Sequence, residues 1–468
     1  MRKRTSLVVL SLLLAFALIA AACGDDEGEP TTTAAATTTA AGETTTTAAA
    51  TTTTAGETTT TAASTEPVLV GELAYYTGDF GAYGASLTND VRFPIEEVIN
   101  LDPPLGRPWT LISEDIGTVG EAQAARKLVE QTGVTILVSP AHGYRNYRSW
   151  MLGWQVEHNG PLMPTVHGGT IPGNIGGTAE EPIFRAQGLD EGLGTIGTLY
   201  AEQLGATKIL VFATEVEGFQ LAADAAEKAA AATGIEVLAR INVPSLGDSY
   251  LTEAQQIGEL APDAVIIQAG SLESGTLIRQ YAEAGLPPMV WIGESGWAQP
   301  EFIETLTIPV IATQTFIGYA SVGFNRDTPA WEFFSNLWNS TQAETFGAAE
   351  DIYHYSAYDL LVITALAVEQ GGSYNASDWA PAVFEVVDGG EKCYTYPDCL
   401  TMIRDGVDID YDGVTGPGTY TEGGVNAVTP VVFPYDAEGN QGEPITIDPA
   451  RYLEILNQIK TVAGPDWG

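Results

Sequence analysis

Short apolar runs alternate with helix-length amphipathic stretches from Val68 to Glu369, and this rhythm restricts the fold more than any other property of the chain. The runs VLVGELAYY, WTLISEDI, VTILVS, KILVFA, EVLARINV, DAVIIQAG and PMVWIG read as strands, each followed by residues of helical periodicity. Helices are expected over Ala85–Ile99, Gly120–Gln131 and Arg145–His158. A further run, VIATQTFIGY, precedes two long helices, Pro329–Gln342 and Ile352–Glu369, and Gly406–Pro434 reads as loops and short antiparallel strands. Strands that are apolar throughout are buried on both faces, which in an alternating β/α chain means parallel sheets covered by helices. The 402 residues from Pro67 to Gly468 exceed one core and predict two doubly wound, Rossmann-like α/β lobes.

The first residues stand outside this pattern. Arg2, Lys3 and Arg4 precede an apolar stretch from Leu7 to Ile19, then Ala20-Ala21-Ala22 and Cys23. This is an export signal (1–22), too short for a membrane span. Ala20-x-Ala22 suits ordinary signal peptidase, whereas LIAAAC resembles the lipobox of bacterial lipoproteins. We read the lipobox, with Cys23 carrying lipid at the outer face of the cell membrane. Residues 23–66 form a Thr/Ala tract with an internal repeat, AGETTTTAA at Ala41–Ala49 and again at Ala55–Ala63. The tract lacks large apolar side chains, so nothing offsets the entropy of ordering it, and it is expected to be a disordered tether. As a coil it would span roughly 35–40 Å root-mean-square.

Composition narrows the function. Once the leader's three basic residues are removed from the 19 Lys and Arg, 16 face 60 Asp and Glu, a net charge of −44. Such a surface repels phosphate backbones, which argues against nucleic acid as a partner. Cys393 and Cys399, six apart in an exported chain, are expected to form one local disulfide. Two thiols and four scattered histidines make no metal-ligand cluster, so no metal is expected. The glycines of VLVGELAYYTGDFGAYGASL follow the spacing G-x-x-G-x-x-G, not the dinucleotide fingerprint or the P-loop. Gly78, Gly81 and Gly84 form either a tight packing turn or a ligand-facing loop at a strand's carboxyl end. No cofactor and no catalytic residue is read.

VGELAYYTGDFGAYG, SEDIGTVGEAQAARKLVEQTGV, PLMPTVHGGT, YAEQLGATKILVFA, APDAVIIQAGSLESGTLIRQYAEAGLPP and AYDLLVITALAVEQGG, in that order, resemble the leucine/isoleucine/valine-type substrate-binding proteins of ABC importers. The tail CYTYPDCLTMIRDGVDIDYDGVTGPGTY is similar to a variant of that family with a disulfide-bearing C-terminal segment. The resemblance implies a type I periplasmic-binding fold, two lobes joined by three crossovers and closing on a small ligand. It divides the chain into a first lobe of 67–186 plus about 316–404, a second of 187–315 plus about 405–440, and an extension over 441–468.

The resemblance also implies the site. His167 to Thr170 match the family's carboxylate-binding turn, with Gly168 and Gly169 admitting close backbone approach and Thr170 offering a hydroxyl. Tyr83 matches a tyrosine lining the cleft. SPAHGYRN matches a loop that normally offers serine hydroxyls and here presents His142, Gly143 and Tyr144. In the second lobe the aromatic expected in EVEGFQLA is Glu217, followed by Phe219, and a second expected tyrosine is Gly270 or Ser271. Glu294 or Ser295 falls where an acid holds the substrate ammonium, and Glu217 is the other candidate. Trp150, Trp291 and Trp297 are either pocket walls or core. The departures leave the solute open among amino acids, small amides and small carboxylates. The function implied is that of a monomeric binding lipoprotein delivering solute to ABC permease subunits. The alternatives are a ligand-sensing receptor component on the same fold, or an exported hydrolase, for which neither G-x-S-x-G nor H-E-x-x-H is present.

Overall fold

The computed structural model describes residues 66–467 apart from 79, 80, 82, 428, 465 and 466. The leader, Cys23 and all of the Thr/Ala tract but Glu66 lie outside the described residues.

The first lobe is built on β1 (Val68–Ala74), β2 (Trp109–Asp115) and β3 (Ile136–Val138), parallel and in the order β2-β1-β3. A single parallel bridge, Ile136 to Leu162, leads on to the parallel pair β4 (Met163–Thr165) and β5 (Ile183–Arg185). Alternate residues enter opposite cores: Val68, Val70, Ile136 and Val138 face one, Leu73 and Leu137 the other. Helices Gly84–Glu97 and Ile352–Gly371 cover the first face. The latter is buried along nearly its whole length, as a helix apolar on every side must be.

The second lobe holds β6 (Lys208–Thr214), β7 (Glu236–Val243), β8 (Ala264–Gln268), β9 (Val290–Gly293) and β10 (Phe316–Val322). These run parallel in the order β10-β9-β8-β6-β7. Small residues bring two helices close on one face: a Cβ added to Gly194 of helix Asp190–Gln203 would lie 1.8 Å from the Ala222 carbonyl oxygen of helix Glu217–Thr233.

Two boundaries differ from the sequence-based expectation. Phe316–Val322, expected in the first lobe, belongs to the second sheet, with Phe316 opposite Val290. An apolar strand following directly on β9 finds a parallel neighbour there. Conversely, most of the 405–440 stretch packs on the first lobe. There β11 (Glu391–Cys393), β12 (Ile409–Gly413) and β13 (Gly416–Pro417) form a small sheet. The buried Asp359 carboxylate accepts from Tyr411 Oη (2.8 Å), Val414 N (3.1 Å), Thr415 N and Thr415 Oγ1 (both 2.7 Å), clamping this hairpin to helix Ile352–Gly371. Only then does the chain return, adding β14 (Pro430–Pro434) antiparallel to β10 and β15 (Ile445–Thr446) beyond it. The second sheet is therefore mixed, not wholly parallel. The chain passes between the lobes after Arg185, Val322 and Asn426, and its last described residues return to the first lobe, where Trp467 O accepts from Arg148 and Ala463 N donates to Asn174.

Cys393 and Cys399 are joined in a disulfide, with a Cα–Cα separation of 5.4 Å, tying β11 to helix Tyr396–Arg404. Closing so short a loop removes little entropy from the unfolded chain. A Cys393→Ser/Cys399→Ser double variant is expected to fold and to lose about 2 kcal/mol in denaturant titration. Loss of the native fold would show that the segment depends on the bridge instead.

Candidate functional site

Parallel sheets place all their strand-to-helix turns at one edge, and here the carboxyl ends of β1, β3 and β4 in the first lobe look across a cleft at those of β6, β8 and β9 in the second. The cleft encloses about 360 Å3, the scale of a small metabolite. From the first lobe it is lined by Tyr75, Tyr83, His142, His167, Gly169 and Tyr353, and from the second by Asp190, Phe219, Gln268, Ser271, Glu294 and Ser295, with Gln187 on the first crossover.

Of the residues expected from sequence, Tyr83, His142, Gly169, Phe219, Ser271, Glu294 and Ser295 come together in this lining. Tyr83 Oη and Ser271 Oγ are 3.0 Å apart, a hydrogen bond from lobe to lobe. Gly143, Tyr144, Gly168, Thr170 and Glu217 are not among the lining residues, and each has a physical reason. The Gly143 amide donates to Glu121 Oε2 (2.6 Å), which with Oε1 also takes Ala141 N and Tyr147 Oη and so braces the His142 turn from below. The Tyr144 hydroxyl is buried, donating to Glu181 (2.7 Å), which pairs with Arg148. Gly168 faces inward: a Cβ there would lie 2.6 Å from Thr165 and 2.8 Å from Arg185. Thr170 is buried behind the turn, and Glu217 is exposed at the start of its helix while its neighbours Val216 and Gly218 reach the cleft.

None of Trp150, Trp291 and Trp297 lines the cleft. Trp291 packs on Tyr281 and donates to Gln314, Trp297 stacks on Phe302, and Trp150 lies under the Arg126 guanidinium. Among the opening glycines, Gly78 reaches the cleft with φ +86°, while Gly84 lets the first helix start hard against β1, where a Cβ would meet the Tyr75 carbonyl at 2.2 Å.

Asp190, Gln187 and Gln268 were not expected from sequence. Asp190 is the first residue of its helix, and its carboxylate lies between two glycines. A Cβ on Gly169 would be 1.8 Å from Asp190 Oδ1, and one on Gly218 would be 2.7 Å from Oδ2. Gln268 ends a wholly buried strand, and a polar residue closing an apolar run was the available signal. Both its amide atoms are buried without a partner among the described residues, as are Gln187 Nε2 and Glu294 Oε1. Glu294 Oε2 accepts from Gly296 N at 2.8 Å.

Burial sets the electrostatics. It holds the His142 ring below the usual histidine range and, with repulsion from His142, lowers His167 to about 3, so both rings are neutral near neutral pH. Burial, reinforced by Glu191, Glu294 and Glu217, raises the Asp190 carboxyl to about 7. Burial raises Glu294 to about 7 against the hydrogen bonds from Gly296 and Ser295. Among the described residues no group of three or more His, Cys, Asp or Glu is placed to hold a metal ion.

These features occur on a chain whose residues 67–389 match the model of the periplasmic binding protein family. The chain belongs to that family. No curated protein matches it in sequence. Similar solved structures are those of a leucine-binding protein from Thermotoga maritima (16% identity, 81% of this chain and 99% of that one, TM-score 0.63) and of the branched-chain amino acid transporter substrate-binding protein of Streptococcus pneumoniae with isoleucine (16%, 81% and 99%, TM-score 0.62). A solute-binding protein from R. palustris in complex with benzoate is similar at 14% identity, covering 81% of this chain and 95% of that one, with a TM-score of 0.60. The type I periplasmic-binding fold implied by the sequence resemblance is thus the fold of this family member. Among its described residues no helix is long and apolar enough to cross a membrane.

The buried carboxyls generate a pH prediction. The folded Asp190 carboxyl titrates near 7 against an ordinary 3.8, so between these values the folded state holds a proton that the unfolded chain has lost. Its contribution is therefore most favourable at low pH and declines as pH rises through the window. Asp190→Asn removes that decline. The variant should match the parent at about pH 4 and exceed it at about pH 8 by about 4 kcal/mol in chemical denaturation, the full width of the shift from 3.8 to about 7. An equal difference at both pH values would refute the assignment.

Proposed function

We propose that this periplasmic binding protein is the extracytoplasmic receptor of an ABC importer, held at the membrane by lipid on Cys23 and reaching outward on the 23–66 tether. The observation that carries this reading is the cleft itself: polar atoms of Gln268 and Glu294 at strand ends and of Gln187 on the crossover, buried and without a partner among the described residues. A buried polar atom left unpaired costs about 1–3 kcal/mol, so a site that keeps several is arranged for a ligand that supplies their partners. A solute touching both lobes favours the closed arrangement by its differential affinity, and the closed form is what permease subunits engage. The similar structures include a leucine-binding protein and complexes with isoleucine and with benzoate, solutes of the size this cleft admits. No chemical step is required of the chain, and it acts as a monomer.

Two measurements test this. The intact chain, unfolded and refolded to strip carried-over solute, should be stabilised by one member of a small-molecule panel, by about 2.7 kcal/mol at 100 times its dissociation constant. Tyr83→Phe, which deletes the lobe-to-lobe hydrogen bond, should weaken that binding by about fivefold without lowering the melting temperature of the free protein. Unchanged affinity would remove Tyr83 from the closure. Separately, Cys23→Ala should move the protein from the membrane fraction to the soluble one. Continued membrane association would overturn the lipid anchor.

A further inference from the structure

Resting on the solute-binding reading, we infer that the cleft selects a small organic cation that carries no carboxylate. The resemblance to amino-acid-binding proteins places a ligand carboxylate at the His167–Thr170 turn, but in this chain that place faces a resident one. Asp190 Oδ1 lies where a Cβ of Gly169 would be, at 1.8 Å, and Oδ2 is correspondingly close to Gly218. Thr170, whose hydroxyl would serve a carboxylate, is buried outside the lining. Once Asp190 is ionised, above about pH 7, a second carboxylate brought to this turn would meet like charge at close range.

The rest of the lining has the same sign. It contains Asp190, Glu273 and Glu294 and, among the described residues, no Lys or Arg. Glu273 uses one oxygen on the Leu246 amide at 2.9 Å, but Glu294 Oε1 is buried without a partner, and no hydrogen bond among the described residues reaches the Asp190 carboxylate. Three helices begin at the cleft, and their N-termini would ordinarily attract an anion. Each already carries acid in its first turn: Asp190 and Glu191, Glu217, and Glu273.

Two further features suit a cation. The rings of Tyr75, His167 and Tyr353 pack in sequence along the first-lobe wall, with centroids 5.6 and 5.2 Å apart, and neutral aromatic faces attract organic cations. Gln268, with no exposed surface and both amide atoms unpartnered, supplies an acceptor for a cationic N–H and a donor for a neutral ligand oxygen or nitrogen. The absence of a metal-ligating group among the described residues makes the cation an organic one: an amine, a guanidinium or a quaternary ammonium. The net charge of the mature chain draws such a solute toward the surface.

The test is isothermal titration of the refolded intact chain with agmatine, putrescine and choline, against leucine, isoleucine and benzoate. At least one cation should bind about a hundredfold more tightly than any carboxylate-bearing probe, and Asp190→Asn and Glu294→Gln should each weaken it by about tenfold or more. Binding of leucine, isoleucine or benzoate with silence from every cation overturns the inference and leaves the solute-binding reading standing. Silence from all six probes overturns both. Cation binding that changes less than about twofold in both variants also overturns the inference, because the carboxylates would then not be its partners.

Discussion

Buried carboxylates organise this molecule, because a chain with so few cations must satisfy them by other means. Asp359 is held by two backbone amides and two hydroxyls, and that one side chain fastens the 409–417 hairpin to the long central helix. Glu121 takes two amides and a hydroxyl and thereby shapes the turn that presents His142. The deeply buried Arg185 is treated the same way in reverse: it spends its guanidinium on the carbonyls of Ile171, Pro172, Ile175 and Gly423, joining the cleft turn to the tail. Against this background Glu294 stands out, because its Oε1 is buried in the cleft lining without a partner among the described residues.

The cost and the use of those acids are two sides of one arrangement. Asp190 and Glu294 are destabilised by burial when ionised, and a free energy held against the folded protein becomes available to any solute that relieves it. Gly169 and Gly218 matter for the same reason, since only residues without a Cβ let the Asp190 carboxylate sit between two lobes. The site is thus specified as much by what its glycines omit as by what its polar side chains offer.

Much of the scaffold was legible because periodicity is a local property. The expected helix Ala85–Ile99 is observed over Gly84–Glu97, and Pro329–Gln342 over Pro329–Thr341. Lobe membership was less legible, since it depends on pairing between strands distant in sequence. Nothing in the run FIGYASV says that its neighbour is β9, and nothing in DYDGVTG says that Asp359 will grasp it. In the site, Tyr83, Ser271 and Glu294 could be placed because they occupy motif positions at strand ends. Tyr144 and Gly143 could not be told from ligand contacts, because their true partners, Glu181 and Glu121, sit 37 and 22 residues away. Asp190 was hidden by its own surroundings: an acid opening a helix ordinarily serves the helix dipole, and only the approach of two glycines reveals a further role.

The return of β14 to the flank of β10 has a consequence for how the protein is made. Val322 pairs with Pro430 and Gly318 with Pro434, so the second sheet is finished by residues more than a hundred positions downstream. Until the tail arrives, β10 is an apolar strand with an open edge, a template for pairing between chains. High contact order of this kind slows folding and postpones it to the end of synthesis. The second lobe therefore cannot complete itself before its last segment has been made, and its assembly is tied to the far end of the chain.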